Sequence, residues 1–277
     1  MRGEASRMSD RDSRDLMAKK IAALGDDAWQ LGNEMFTITD VLDANPRLQR
    51  ALTDPGRPVA DKTAVLHTLL GDEALPLTGE IMSDLVNRTW SRAYDIDNAV
   101  EDFGVDAMMY KADADGDTLQ VSIELAQLQS ALLNLPVVRS RLSDAQAPAK
   151  ARIELLHALI DPMNMKPVTV RLAEHCASNP RKRRFLETIQ WLIEKFSRHM
   201  GESLVVVTTA TPLKQEQIDK LVEIYSKKVG HPVHINSMVD PTVLGGMRVQ
   251  VGDEVTDNTV VAQLENLQRK AKAGAVL

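Results

Sequence analysis

The chain has 277 residues, a formal net charge of -6 and a hydrophobic fraction of 44%, with aromatic residues at only 4%. This length predicts about two domains with a sizeable core, and the low aromatic content favours packed helices over a sheet sandwich. The acidic balance argues against a nucleic-acid-binding protein, because phosphate binding needs a cationic surface. The single cysteine, Cys176, excludes an intrachain disulfide and fits a reducing compartment.

The N-terminal segment, residues 1–24, is predicted to be a charged helix. It lacks the apolar core of a signal peptide. No apolar run approaches the roughly 20 residues needed to span a bilayer. We therefore expect a soluble protein that reaches a membrane only through a partner.

An internal repeat follows the N-terminal helix. Over the 25 positions from Pro46 to Leu70, 7 residues are identical to those 90 positions later, where about one or two are expected by chance. The identical pairs are Pro46/Pro136, Leu52/Leu142, Asp54/Asp144, Pro58/Pro148, Leu66/Leu156, His67/His157 and Leu69/Leu159. Two amphipathic stretches that merely share a period do not explain matched prolines and histidines. We therefore predict a duplication.

Each copy is predicted to be a bundle of amphipathic helices, because its apolar residues recur at i, i+3, i+4 and i+7. Copy one is assigned to residues 25–112 and copy two to residues 119–200. The stretch Ala112–Asp117 between them is predicted to be a linker or a helix break. Its three aspartates only loosely match a calcium loop, and its glycine is out of place for one.

Residues 203–277 are predicted to form a small α/β domain. A β-branched strand at Leu204–Thr208 precedes a helix that Gly230 can end, and a second strand is predicted at Val233–Met238. The fold class is thus mainly α, with a duplicated N-terminal helical bundle and a small α/β C-terminal domain that contains a β-hairpin.

The segment Val239–Leu267 is the most informative part of the chain. Gly245 and Gly246 permit positive φ or a close backbone approach. Met247, Val249 and Val251 alternate with polar residues, as in a half-buried strand. Gly252-Asp253 is typical of a hairpin turn. Asp257 or Thr259 can cap a following helix whose apolar stripe is Val260, Val261, Leu264 and Leu267.

This segment resembles the C-terminal signature of the delta subunit of F-type ATP synthases, the counterpart of the mitochondrial oligomycin-sensitivity-conferring protein. The matching residues, in order, are Val239, Asp240, Pro241, Leu244, Gly245, Gly246, Val249, Val251, Gly252, Asp253, Val255, Asp257 and Thr259. Copy two also resembles the family's helical bundle, and Arg183–Ile189 is similar to the entry into its last helix. An ordinary member has one such bundle, so this chain is expected to be a long form.

The resemblance implies a non-catalytic stator subunit in the peripheral stalk, which couples proton transport to ATP synthesis. The bundle would bind the N-terminal segments of the alpha subunits of the catalytic head. The C-terminal domain would bind the C-terminal region of the b subunit. It also implies a peripheral location at the cytoplasmic face of a bacterial cell membrane, with no cofactor.

Candidate interface residues come from the two regions that carry the resemblance. In copy two they are Leu128, Arg183 and Arg184, and we expect copy two to contact the head. In the signature they are Asp240, Pro241, Gly245, Gly246, Gly252, Asp253, Asp257 and Thr259. The basic run at residues 181–184 is expected to be an exposed helix start and not a nucleic-acid patch.

No residue pattern supports catalysis or metal binding. Cys176 lies at a core spacing after Leu172, which favours a small buried apolar residue over a nucleophile. His231 and His234 lie three apart in a predicted strand region, which puts them on opposite faces. Two alternatives remain open: a helical-repeat scaffold of another assembly, and an enzyme that uses the glycine-rich hairpin as a small-ligand site.

Overall fold

The structure, a computed structural model, describes residues 3–71, 73–133, 135–181, 183–240, 243–251 and 254–264. It is helical up to Met200 and then forms a small mixed sheet, which confirms the predicted fold class. The helices are α1 Glu4–Ala22, α2 Asp27–Ala44, α3 Pro46–Thr53, α4 Val59–Leu70, α5 Pro76–Asn87, α6 Tyr94–Asp115, α7 Thr118–Leu133, α8 Pro136–Leu142, α9 Ala149–Ile160, α10 Pro167–Ser178, α11 Phe185–Met200 and α12 Gln215–Val229. The strands are β1 Ser203–Thr209, β2 Val233–Val239, β3 Met247–Val251 and β4 Glu254–Asp257.

The duplication is visible in how the helices begin. Proline occupies the first residue of α3 and α8, and also of α5 and α10. There its fixed φ suits the helix, and its missing N–H costs no intrahelical bond. Pro58 and Pro148 precede α4 and α9 with nearly the same backbone angles, φ -55 and -57.

The matched aspartates make the same turn in both copies. The Asp54 carboxylate accepts a hydrogen bond of 2.8 Å from the Gly56 N–H, and the Asp144 carboxylate accepts one of 2.9 Å from the Gln146 N–H. Such a turn satisfies a backbone donor after the preceding helix has ended. The identity of these two residues is therefore explained by a local backbone requirement.

The matched basic residues Lys62 and Arg152 both cap the C-terminal end of a neighbouring helix. Lys62 Nζ donates to the Val86 carbonyl at 3.2 Å, near the end of α5. Arg152 donates to the Ala177 and Ser178 carbonyls at 2.6 and 2.8 Å, at the end of α10. The last carbonyls of a helix have no intrahelical partner, so a buried cation there satisfies them.

Helix α6 packs against helices of both copies. It lies against α1, α2, α3 and α5, and also against α10. Its contact with α10 corresponds to the contact of α1 with α5: Asp84 of α5 accepts a hydrogen bond from Ser13 of α1, and His175 of α10 lies 3.1 Å from Glu101 of α6. α6 therefore contacts helices assigned to both copies.

Of the two predictions for Ala112–Asp117, a linker or a helix break, the structure has the helix break, and it is shorter than the predicted stretch. α6 continues to Asp115, where Lys111 Nζ lies 2.5 Å from the Asp115 carboxylate one turn away. The break consists of Gly116 and Asp117, and Gly116 adopts a left-handed φ of 72. Gly25, in the turn between α1 and α2, also has a positive φ, of 57.

The chain packs as two compact units, one formed by Met1–Thr118 with Ser143–Lys182 and the other by Leu119–Leu142 with Arg183–Leu277. The domain boundaries expected from the duplication stay a prediction. The first unit buries a continuous apolar core, in which Leu31, Met35, Leu85, Val100 and Phe103 are each fully buried. Cys176 is also buried, as its spacing predicts.

In the second unit the sheet has the order β2-β1-β3-β4. β1 pairs parallel with β2 through the crossover helix α12, and antiparallel with β3, which forms a hairpin with β4. The α12 face packs on one side of the sheet, with Leu221 against Val205, Val207, Val233 and Ile235. This confirms the predicted strands and hairpin, although the hairpin tip at Gly252 and Asp253 lies outside the described residues.

Within the described residues, no single helix has both the length and the apolarity needed to cross a membrane. Two consecutive helices, α7 and α8, meet that test only when taken together, and they join at a bend of 117°.

Candidate functional site: the signature end of the sheet

The glycine step of the signature and the cap after β4 lie at one end of the sheet, while Val249 and Val251 extend along β3 away from it. Thr209, the last residue of β1, pairs with Val239 on one side and with Met247 on the other, and Asp257 of β4 pairs with Arg248. The connection from β2 to β3 therefore crosses β1 at this end, as does the start of the segment after β4. We call Val239, Leu244, Val260 and Leu264, with the backbone that joins them, the signature end.

Three consecutive residues in the connection have positive φ: Leu244 at 59, Gly245 at 152 and Gly246 at 76. Asp240 anchors the start of the connection, because its N–H donates to the Thr209 carbonyl at 2.8 Å. Glycine adopts positive φ without steric cost, but leucine does not. Leu244 is therefore held in its strained conformation by its surroundings.

Gly246 has a second requirement besides its φ. A β-carbon at this position would lie 2.4 Å from the Asn258 carbonyl oxygen, and 3.1 Å from Thr259 Cα. Backbone atoms cannot move aside as a flexible side chain can. The Gly-Gly step thus lets two backbone segments of the signature touch, which confirms the close approach that the sequence allows.

The segment after β4 is capped as predicted, with both candidate residues taking part. The Asp257 carboxylate accepts from the Thr259 N–H at 2.9 Å, and Thr259 Oγ1 accepts from the Ala262 N–H at 3.2 Å. Residues 260–264 are helical, so Thr259 is the N-cap residue. The Val260 N–H also donates to the Gly245 carbonyl at 3.0 Å, which ties this helix to the glycine step. Pro241 and Leu267 lie outside the described residues.

The signature end exposes apolar side chains. Leu244 is 71% exposed, and Val239, Val260 and Leu264 are each more than 40% exposed. Single exposed apolar residues are ordinary on a protein surface. Here four of them lie in segments that meet at the glycine step, where the Val260 N–H donates to Gly245, and grouped exposed apolar residues are typical of a protein-interaction surface.

The candidate residues of copy two have different environments. Leu128 is fully buried, so an aspartate there would test folding and not binding. The Arg183 guanidinium lies 5.2 Å from the Trp191 ring centre. The Arg184 side chain is 84% exposed, and its N–H donates to Glu187 at 3.3 Å across the first turn of α11.

Copy one has an open groove between two of its helices, whereas side chains of copy two bridge the equivalent pair of helices. A cavity of about 270 Å³ between α4 and α5 is lined by Leu66, His67, Leu70 and Ser83, among others. In copy two, His157 lies 2.8 Å from Glu174 across the same helix pair and 2.9 Å from Asp161. These contacts raise the pKa of His157, the Asp161 contact first and the Glu174 contact second. Ser83 and Gly71 occupy the corresponding positions in copy one.

The expectation that residues 181–184 form an exposed helix start is wrong for Arg181. Its side chain is fully buried in the first unit, with its nitrogens 2.8 Å from Asp43, 2.7 Å from Asp97 and 2.5 Å from Glu101. Its backbone has a φ of 47, which is strained for a residue other than glycine. The Tyr94 ring covers the guanidinium at 5.3 Å.

No group of three or more histidine, cysteine, aspartate or glutamate side chains that could hold a metal ion occurs among the described residues. His231 is exposed and lies beside its neighbour's carbonyl, 3.1 Å from Pro232 O. The contacts described at the signature end are exposed apolar side chains and backbone hydrogen bonds.

Comparison with known proteins gives a consistent result. The family model described as ATP synthase delta (OSCP) subunit matches residues 105–271, and this match begins inside α6. An ATP synthase subunit delta from Bifidobacterium animalis subsp. lactis (strain AD011) is 70% identical over 274 residues, 99% of each chain. One from Bifidobacterium adolescentis is 71% identical over 275 residues, 99% of this chain and all of the relative. A more distant one from Beutenbergia cavernae is 33% identical over 250 residues, 90% of this chain and 92% of the relative.

Proposed function

Because this chain belongs to the ATP synthase delta (OSCP) family, we propose that its signature end binds the C-terminal region of the b subunit while its helical copies bind the N-terminal segments of the alpha subunits. The chain is a non-catalytic, peripheral-stalk subunit of the F-type ATP synthase and a peripheral component of that complex. A scaffold role in another assembly has no support in these relatives. The location that we propose is the cytoplasmic face of the bacterial cell membrane, reached through the complex.

The observation that carries the stalk contact is the exposure of Leu244 on a strained backbone. A leucine in this conformation costs about 1–2 kcal/mol relative to an ordinary backbone, and its side chain makes little use of the protein's own core. Strain of this kind concentrates where a ligand is bound. In the proposed complex, Leu244 and Val260 are buried against an amphipathic segment of the b subunit. The strained backbone would then serve to present Leu244 to that segment.

The head contact is proposed for the helical copies, where an amphipathic helix could lie in an apolar groove. Copy two is our first assignment, since it is continuous with the C-terminal domain and presents Arg184 to solvent. The open groove of copy one supports a second position for such a helix.

A titration tests the stator role directly. The purified chain is added to an ATP synthase catalytic head that has been stripped of its own delta subunit, and binding is followed by light scattering or fluorescence. We expect saturation at about one chain per head, at submicromolar concentration. A folded, helical chain that fails to bind would refute the proposal.

Two variants then distinguish the copies. Arg184→Glu reverses an exposed charge in copy two, and Ser83→Trp fills the open groove of copy one. The copy whose variant weakens head binding is the copy that makes the contact. Arg198→Glu, which reverses an exposed charge elsewhere on α11, is the control.

A further inference from the structure

The loop that follows α10 is fixed to copy one by a cluster of charged side chains. Arg181 extends from this loop and reaches Asp43 on α2 and both Asp97 and Glu101 on α6. Asn179, two residues earlier, donates to the Asp43 carboxylate at 2.7 Å. The cluster thus joins the end of α10, in copy two, to the central helices of copy one.

The charges of this cluster do not balance if every acid is ionised. One guanidinium faces three carboxylates, and the side chains of Arg181, Asp97 and Glu101 are at most 2% exposed. An uncompensated buried charge is expensive, because no water is present to solvate it. A proton held by one of the carboxyl groups would reduce this imbalance.

The groups that face Asp97 can be assigned element by element. α2 contributes Asp43, α6 contributes Glu101 and Tyr94, and the loop contributes Arg181. α10 contributes His175, whose ring lies 3.1 Å from Glu101 and stacks on Phe36 at 4.0 Å. Asp97 and Glu101 both pair with Arg181. The second Glu101 oxygen already has a partner, because it lies next to the His175 ring nitrogen.

Asp97 is the acid best placed to keep the proton. Its Oδ2 accepts from Arg181, while its Oδ1 is buried with no hydrogen-bond partner in the described part of the chain. Asp43 and Asp97 both lie against Arg181, and two carboxylates at one site repel each other unless one of them is protonated. Burial, and next the contact with Asp43, raise the pKa of Asp97 to about 9.

We propose that Asp97 carries a proton at neutral pH and that this proton locks the loop after α10 onto copy one, which makes the cluster a proton-linked joint between the two copies. At pH values between the ordinary carboxyl pKa and the raised pKa of Asp97, the chain then takes up one proton when it folds. The stability contributed by the neutral cluster is complete below about pH 4. It is lost progressively as the pH rises through the raised value, since the unfolded chain binds fewer protons there.

The test compares the full-length chain with Asp97→Asn, which replaces the neutral acid by a neutral amide of the same shape. The unfolding equilibrium constant is measured by urea denaturation between pH 5.5 and pH 8.5. For each pH unit, the unfolding constant of the parent should increase by a factor about ten times larger than the factor for Asp97→Asn. Asp97→Asn should equal or exceed the parent in stability at pH 8.5.

Two outcomes would overturn the proposal. Equal pH slopes in the parent and Asp97→Asn would mean that Asp97 is ionised in the folded chain. A slope abolished by His175→Gln but kept in Asp97→Asn would place the proton on the imidazole. If Asp97→Asn does not fold, infrared spectroscopy of the parent decides, because the absence of any protonated-carboxyl band at pH 7 would also overturn it.

Discussion

Gly246 lies directly against Asn258: a β-carbon at position 246 would be 2.4 Å from the Asn258 carbonyl oxygen. This contact brings the glycine step of the signature against the segment that enters the capped helix. Position 246 thus requires glycine for two reasons: its φ is positive, and a β-carbon has no space there. The contribution of each to the free energy of unfolding can be measured.

We expect Gly246→Ala to lower the free energy of unfolding by about 3 kcal/mol, as backbone strain and a steric clash together commonly do. The matched control is Gly201→Ala. Gly201 also has positive φ, but a β-carbon there would meet no atom within 4 Å, so only the conformational cost of about 1–2 kcal/mol applies. Urea denaturation of both variants checks this, and equal losses would contradict the close approach.

Leu244→Gly should separate stability from binding. Glycine relieves the strain at a φ of 59, so the chain should be as stable as the parent or more stable by about 1 kcal/mol. It also removes the most exposed apolar side chain of the signature end. Affinity for a peptide from the C-terminal region of the b subunit should fall about tenfold, which corresponds to about 1.4 kcal/mol.

Calorimetric titration measures that affinity. Ile224→Ala is the control, because Ile224 is an exposed apolar residue on α12, away from the signature end. Unchanged binding by Leu244→Gly would remove Leu244 from the stalk interface.

Arg152 and Lys62 should differ in their contribution to stability although they occupy equivalent positions. Arg152 donates to four carbonyls, those of Asp144, Ala147, Ala177 and Ser178, whereas Lys62 donates to one. Arg152→Ala leaves several buried carbonyls unsatisfied and should cost about 3 kcal/mol, against about 1 kcal/mol for Lys62→Ala. Arg152→Lys places the residue of copy one at this position. Its loss of stability, measured by thermal denaturation, should lie between those of Arg152→Ala and Lys62→Ala.

The His157 imidazole should titrate above its ordinary pKa of 6.5 because Asp161 and Glu174 both favour its charged form. A folded pKa above the unfolded value means that the stabilising contribution is complete below about pH 6.5 and is lost as the pH rises through the folded pKa. NMR titration of the ring protons measures the shift directly. Glu174→Gln and Asp161→Asn should each lower this pKa, and Glu187→Gln on α11 should leave it unchanged.

Much of the fold follows from short-range patterns in the sequence. The periodicity of apolar residues predicts the helices, and the matched prolines at residues 46 and 136 predict where equivalent helices begin. The glycine step, the hairpin and the Thr259 cap are local features as well. Each is decided within a few residues, so the sequence alone is enough to predict it.

The environment of Arg181 could not be predicted in this way. It is the first of a basic run, a pattern that usually means a solvated surface. Its partners Asp97 and Glu101 lie about 80 residues earlier in the chain, and nothing local indicates the pairing. Leu128 illustrates a related limit, because buried and interface leucines share the same helical spacing.

The sharing of α6 between the copies could not be predicted from the duplication either. Aspartate and alanine around Gly116 suggest a linker, but Lys111 stabilises the last turn from inside the helix. Only the packing of α6 against α10 reveals that the copies overlap.

That overlap has a consequence for any attempt to remove copy one. Because α6 packs against helices assigned to both copies, it completes two sets of helices at once. The family match begins at residue 105, inside α6. A chain trimmed back to residue 94 would lose the core residues that cover Val100 and Phe103, which are now fully buried.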